Sequence, residues 1–271
     1  MAAKTGFASV NGTQLYYEEA GEGTSVVFIH GLGLDRRMWD EQFQEFAGRY
    51  RVIRYDVRGF GKSDVPSDSP FRHVDDLRAL LDYLAAPKSH IIGFSMGGIV
   101  ALHHALLHPD ATLSLVLADS ALDGHPWSAE WDESVDAVWE HAAKAGAKAG
   151  NDKWLEHDLF GPAREQPHVK AKLAQIVGES SGWNWVNESP VQGIDPRSID
   201  RLHDISAPTI VIVGERDLAD FRTIATTLTQ AIPGARKVVI EGAGHMSNIE
   251  KAPEFNSIVS SFLEEVETRA A

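Results

Sequence analysis

The chain has no cysteine, which excludes disulfide bonds, a thiolate nucleophile and cysteine-ligated metal centres, while leaving the compartment open. A block of basic residues is also missing: 25 Lys and Arg stand against 39 Asp and Glu, a net charge of −14. Neither nucleic acid nor an anionic membrane is therefore expected as a partner. Nowhere does an apolar run reach the roughly 18 residues of a membrane span, and the opening MAAKTGFASVNG lacks the apolar stretch of a secretory signal. A cytoplasmic setting is the expectation.

What is present is an ordinary globular composition, 43% hydrophobic and 24% charged over 271 residues, enough for a sizeable core. Two short alternating runs flank Asn11-Gly12, a two-residue hairpin signal. Apolar, β-branched-rich runs follow at 25–30, 51–57, 90–95, 113–120, 209–214 and 237–242. Between them lie helix-like stretches such as VDDLRALLDYLAA and FRTIATTLTQAI. Continuous apolar strands alternating with helices predict an α/β fold with a parallel, doubly wound sheet. Residues 121–190 break the rhythm: they hold no convincing strand but six of the seven tryptophans. They are read as a helical insertion between two parts of a core formed by 1–120 and 191–271.

The pattern Gly-x-Ser-x-Gly occurs twice, at Gly93–Gly97 (GFSMG) and at Gly178–Gly182 (GESSG). Context separates them. The first stands between an apolar strand and an apolar helix, the sharp turn that projects a serine hydroxyl above a sheet. The second follows a helix-like run and reads as a helix C-terminus, with Gly178 as a natural stop. A serine hydroxyl needs a histidine to take its proton, and the histidine a carboxylate to fix its tautomer. In this architecture functional groups lie beyond the carboxyl ends of parallel strands. Among twelve histidines, His245 qualifies after KVVIEGAG; Asp217 follows TIVIVGER, and Asp119, after LVLA, is a rival carboxylate.

Two further signals are set aside. GFGKS at 59–63 resembles the end of a phosphate-binding loop, but Asp56 stands where that pattern requires glycine and would repel phosphate. His104 and His108 are four residues apart without the glutamate of a zinc-binding HExxH helix, so a solvated or capping role is expected for them.

HGLG (30–33), YDVRGFGKSD (55–64), GFSMGG (93–98), GERD (214–217) and GAGHMSNIEKAP (242–253), taken in order, resemble the α/β-hydrolases. The branch with 3-oxoadipate enol-lactonases, small carboxylesterases and cofactor-free perhydrolases is the most similar. The resemblance implies a mostly parallel eight-stranded sheet with helices on both faces and a helical cap at 121–190. It implies Ser95 as nucleophile, His245 as general base and then acid, Asp217 as its orienting carboxylate, and the backbone N–H groups of Leu32 and Met96 as the oxyanion hole. His30 is expected to brace its loop. No metal and no cofactor are implied, and the expected partner is a small ester or lactone.

Trp39, Trp127, Trp131, Trp183 and Trp185 are candidate walls of the substrate site. Arg36, Arg37 and Arg58 could hold a substrate carboxylate, although solvent-facing charge explains them as well. Rival readings are a non-catalytic small-molecule receptor on the same scaffold, or perhydrolase or C–C hydrolase chemistry on the same triad. The C–C hydrolases are less similar, because no Gly-Pro-Gly run follows His30.

Overall fold

The computed structural model describes residues 3–270. Eight strands form one sheet: β1 (Lys4–Val10), β2 (Thr13–Ala20), β3 (Ser25–Ile29), β4 (Arg51–Tyr55), β5 (Ser89–Phe94), β6 (Thr112–Ala118), β7 (Thr209–Gly214) and β8 (Arg236–Ile240). Their order is β1-β2-β4-β3-β5-β6-β7-β8. The β1–β2 and β2–β4 pairs are antiparallel and all later pairs are parallel. Asn11 and Gly12 turn the first hairpin with φ of 47° and 71°, the two left-handed residues of a type I′ turn.

Four helices belong to the first half and its crossovers or to the early insertion: α1 (Asp40–Phe46), α2 (His73–Tyr83), α3 (Met96–Leu107) and α4 (Ala129–Ala145). Then come α5 (Ala147–Leu155), α6 (Gly161–Arg164), α7 (Pro167–Gly178) and α8 (Trp183–Val186). The chain closes with α9 (Ser198–Arg201), α10 (Ala219–Ala231), α11 (Ser247–Glu250) and α12 (Ala252–Ala270). Helices α4–α8 all fall between β6 and β7.

Strands β3, β5 and β7 are buried at every residue, because helices cover both faces of the sheet. Along β3, Val26 and Phe28 enter one apolar cluster and Val27 and Ile29 the other, as the two-residue period of a strand requires. Among the described residues no helix is long and apolar enough to cross a membrane.

Two sequence expectations change in detail. Gly178 is the last helical residue of α7, and the left-handed position falls at Gly182, φ 63°; the GESSG stretch is still a helix terminus. His104 is neither solvated nor a cap: it is fully buried, its Nδ1 2.9 Å from Thr112 Oγ1. Burial in this apolar helix pushes its pKa down to about 3.

Candidate active site

Ser95 stands between β5 and α3 with φ 51° and ψ −117°, a conformation that costs a non-glycine residue of order 1–3 kcal/mol. The surrounding backbone holds it there. Ser95 N–H donates to Ala118 O at 3.1 Å, while its carbonyl accepts from Gly98 and Ala121 at 2.8 and 3.1 Å. The glycines are required by close approach. A Cβ at Gly93 would lie 2.3 Å from Gly97 O, and one at Gly97 would lie 2.4 Å from Ile29 O. The turn therefore packs helix against strand with no room for side chains.

His245 follows β8 and is 1% exposed. Its Nδ1 lies 2.9 Å from Asp217 Oδ2, so Nδ1–H donates to the carboxylate and Nε2 keeps its lone pair. Nε2 is buried with no hydrogen-bond partner among the described residues. Phe221 and Phe94 pack against the ring at centroid distances of 4.3 and 4.9 Å. This apolar burial pushes the imidazole pKa down to about 4.

Two further groups steady the pair. Asp217, just past β7, also accepts from Leu218 N–H at 2.7 Å. Glu250 accepts from Gly244 N–H at 2.8 Å and Met246 N–H at 3.1 Å, clamping the backbone on both sides of His245. Sequence reasoning missed Glu250; its only signal was an acid five residues after the histidine.

Asp119, the rival carboxylate, is buried beside this pair. It accepts from Gly214 N–H at 2.8 Å and contacts the Ser247 hydroxyl, while His245 bonds Asp217 instead. Potential ligand atoms of Asp119, Asp217 and His245 lie within 4.8 Å of one another. Those atoms are already spent on protein donors and on each other, which is not the arrangement of an open metal site.

The loop after β3 completes the site. His30 Nε2 accepts from Val57 N–H and its Nδ1 lies against Gly31 O, both at 2.9 Å, so it braces the loop as expected. A Cβ at Gly31 would meet the Phe94 ring at 2.8 Å. Leu32 thus lies on backbone packed tightly against the Ser95 turn. Met96 opens α3, so its N–H has no acceptor within the helix. Ser95, His245, Asp217, Leu32 and Met96 all lie beyond the carboxyl ends of β3, β5, β7 and β8.

Residues 26–258 match the alpha/beta hydrolase family. The chain belongs to this family. It is 29% identical over 246 residues to the 3-oxoadipate enol-lactonase 1 of Acinetobacter baylyi, covering 90% of each chain. It is 27% identical over 282 residues to the proline iminopeptidase of Lactobacillus helveticus, covering 94% of this chain and 95% of the relative. The crystal structure of the enol-lactonase from Burkholderia xenovorans LB400 superposes with a TM-score of 0.81 at 30% identity, covering 96% of this chain and all of that one.

In this alpha/beta hydrolase the predicted substrate-site tryptophans separate. Trp127 and Trp131 stack at 4.6 Å, and both rings contact Phe221, which itself lies against His245. Trp131 also walls a cavity of about 410 Å³ with His157 and Leu218. Trp39 is instead a core residue, fully buried against Phe28, Phe94 and Phe255. The turn at Arg36–Trp39 rotates its ring inward. Trp185 is buried within the insertion, its indole N–H donating to Asn151 at 2.9 Å, and Trp183 is half-buried at the start of α8 outside the Trp127–Trp131 stack.

Trp154, which the sequence did not single out, lies against the loop after β3 together with Trp185: a Cβ at Gly33 would be 2.9 Å from the Trp154 indole nitrogen and 3.6 Å from the Trp185 ring. The three arginines considered for a substrate carboxylate all have protein partners. Arg36 bonds Glu18 and Asp56 at 2.7 and 2.8 Å, and Arg58 bonds Asp76 at 2.7 Å. Arg37 bonds Asp35 at 2.7 Å and also pairs with Glu179. Arg36 and Arg58 are buried ion pairs rather than solvent-facing charge.

Proposed function

We propose that this alpha/beta hydrolase cleaves a small carboxylic ester or lactone through an acyl-enzyme on Ser95. The observation that carries the reading is the buried His245–Asp217 hydrogen bond, which leaves Nε2 without a protein partner among the described residues, beyond the same carboxyl ends of the strands as the strained Ser95 turn. Ser95 Oγ attacks the carbonyl carbon while His245 Nε2 removes its proton, and Asp217 stabilises the imidazolium. The tetrahedral oxyanion takes hydrogen bonds from the Leu32 and Met96 N–H groups. On collapse, the alkoxide leaves with the proton from Nε2; in a lactone it stays tethered to the acyl group. Water, deprotonated by the same nitrogen, then releases the acid.

The enol-lactonase relatives support an ester-type carbonyl as substrate. Helices α4–α8 act as a cap over the site, with Trp127, Trp131 and Trp154 forming an apolar wall. The steps call on no metal or cofactor.

The test compares short-chain p-nitrophenyl esters and simple lactones with wild type, Ser95→Ala and Asp217→Asn. Ser95→Ala is expected to lose on the order of 10⁶ in kcat and Asp217→Asn on the order of 10⁴. A wild-type protein inert toward every ester and lactone, yet binding them, would favour the receptor reading instead.

A further inference from the structure

Asp119 takes no part in the steps above, yet it is wholly buried at the end of β6 with φ 42°. A carboxyl oxygen of Asp119 lies within 4.8 Å of one of Asp217, in the cluster that also holds His245. Two carboxylates in a dry site repel when both are ionised, and one keeps its proton unless cations intervene.

The neighbours on every side supply few cations. Strand β7 contributes the Gly214 N–H to Asp119, and the next loop contributes the Leu218 N–H to Asp217. The segment after β8 contributes His245, the Ser247 hydroxyl and Glu250, whose charge adds repulsion at Asp217. Helix α10 contributes Arg222, which is exposed. Neither aspartate has a Lys or Arg ion-pair partner among the described residues.

The donors also say where a proton belongs. Asp217 accepts two N–H groups, from Leu218 and His245, and needs its negative charge for the second. Asp119 has one obligatory donor, Gly214 N–H, because the Ser247 hydroxyl can turn to donate or accept. We propose that the two aspartates share a single proton held on Asp119, which acts as a neutral hydrogen-bonding acid that positions and stabilises ionised Asp217. Burial raises both carboxyls above their ordinary range.

The arrangement has a consequence for turnover, which rests on the proposed function. A buried carboxylate as basic as Asp217 could take the proton from the imidazolium outright. Donation from Asp119 lowers that basicity and keeps the proton on His245, where the leaving group needs it. Asp119 is on this account a positioning residue.

Infrared difference spectroscopy on isotope-labelled aspartate protein tests the proton directly. Wild type at about pH 7, far above the usual carboxyl range, is expected to show a carboxylic-acid C=O band that vanishes in Asp119→Asn. Asparagine tolerates the left-handed backbone at this position, and its amide donates as the protonated acid does. Asp119→Asn should therefore leave the acid limb of the pH profile in place, whereas Asp119→Ala, which has no donor for Asp217, should lower kcat at least about tenfold and shift that limb.

The proposal is overturned if no band is assignable to Asp119. It is also overturned if Asp119→Asn moves the acid limb to lower pH by about one unit, as removing a negative charge beside an imidazolium would. The infrared result stands whether or not the protein hydrolyses any ester, so failure of the shared proton and failure of the hydrolase reading are separable.

Discussion

Gly33 and Trp154 are in contact across the boundary between the β3 loop and the helical insertion: a Cβ at position 33 would lie 2.9 Å from the Trp154 indole nitrogen. Gly33 also has φ 71°, so only glycine occupies this position without strain. The loop carrying the Leu32 N–H is thereby held from above by the insertion.

Gly33→Ala is accordingly expected to cost about 1 kcal/mol from backbone strain, and more from the clash. It should also lower kcat by displacing Leu32. Adding Trp154→Ala should relieve the clash but not the strain, recovering only part of any clash-related loss in kcat. Thermal denaturation and steady-state kinetics of the single and double variants check this. Unchanged kinetics in Gly33→Ala would disconnect the loop from catalysis.

The pH dependence follows from burial of His245. Its pKa is pushed below the ordinary 6.5, to about 4, and the base works only when neutral. Activity is therefore expected to stay level as pH falls through 6.5 and to drop only towards 4. The kcat/KM profile of the free enzyme measures this. An acid limb centred at or above 6.5 would mean that Asp217 stabilises the imidazolium more than burial destabilises it.

Asp56 anchors the turn that follows the β3 loop. It accepts from the Arg36 N–H and the Lys62 N–H at 2.9 and 2.8 Å, and pairs with the Arg36 guanidinium. The loop that resembles a phosphate cradle thus wraps an internal carboxylate. Asp56→Ala leaves the buried guanidinium short of one partner, and the expected loss is about 3 kcal/mol of stability. Urea denaturation measures it; a loss near zero would mean that Glu18 alone suffices for Arg36.

Histidine 104 should make stability sensitive to acid. Because its folded pKa lies near 3 against 6.5 unfolded, the unfolded chain binds a proton that the native one does not between those values. Its contribution to stability is complete above 6.5 and is lost as pH falls. From 6.5 to about pH 5 that loss amounts to about 2 kcal/mol. His104→Gln should flatten the stability profile by this amount, as chemical denaturation at the two pH values would show. Equal slopes in both proteins would place a charged His104 in the native state.

Periodicity and strand ends made much of this molecule legible. The hairpin at Asn11-Gly12, the buried strands and the Ser95 turn are local features, written into neighbouring residues. His245 was found by one rule about where strands end. The same rule admitted both Asp119 and Asp217, because it fixes the loop and not the direction of a side chain; the hydrogen bond to Nδ1 separates them.

What stayed hidden depends on contacts between distant segments. Arg36 reaches Glu18 and Asp56 across two strands, and Trp154 meets Gly33 only once the insertion folds back over the sheet. Trp39 misled by its position beside the right loop, since the intervening turn sends its ring into the core. Glu250 carries no periodic signal, and its clamp on the His245 loop appears only in three dimensions.

The central claim is that Ser95 is an activated nucleophile, and covalent labelling tests it most directly. Wild type incubated with an alkyl phosphonate ester that mimics the tetrahedral intermediate should gain one phosphonyl group by intact mass, mapped to Ser95 by peptide analysis. Ser95→Ala should gain none, and His245→Ala should react far more slowly. Labelling of Ser95→Ala at the same rate as wild type, or no labelling of wild type at Ser95, would contradict the account.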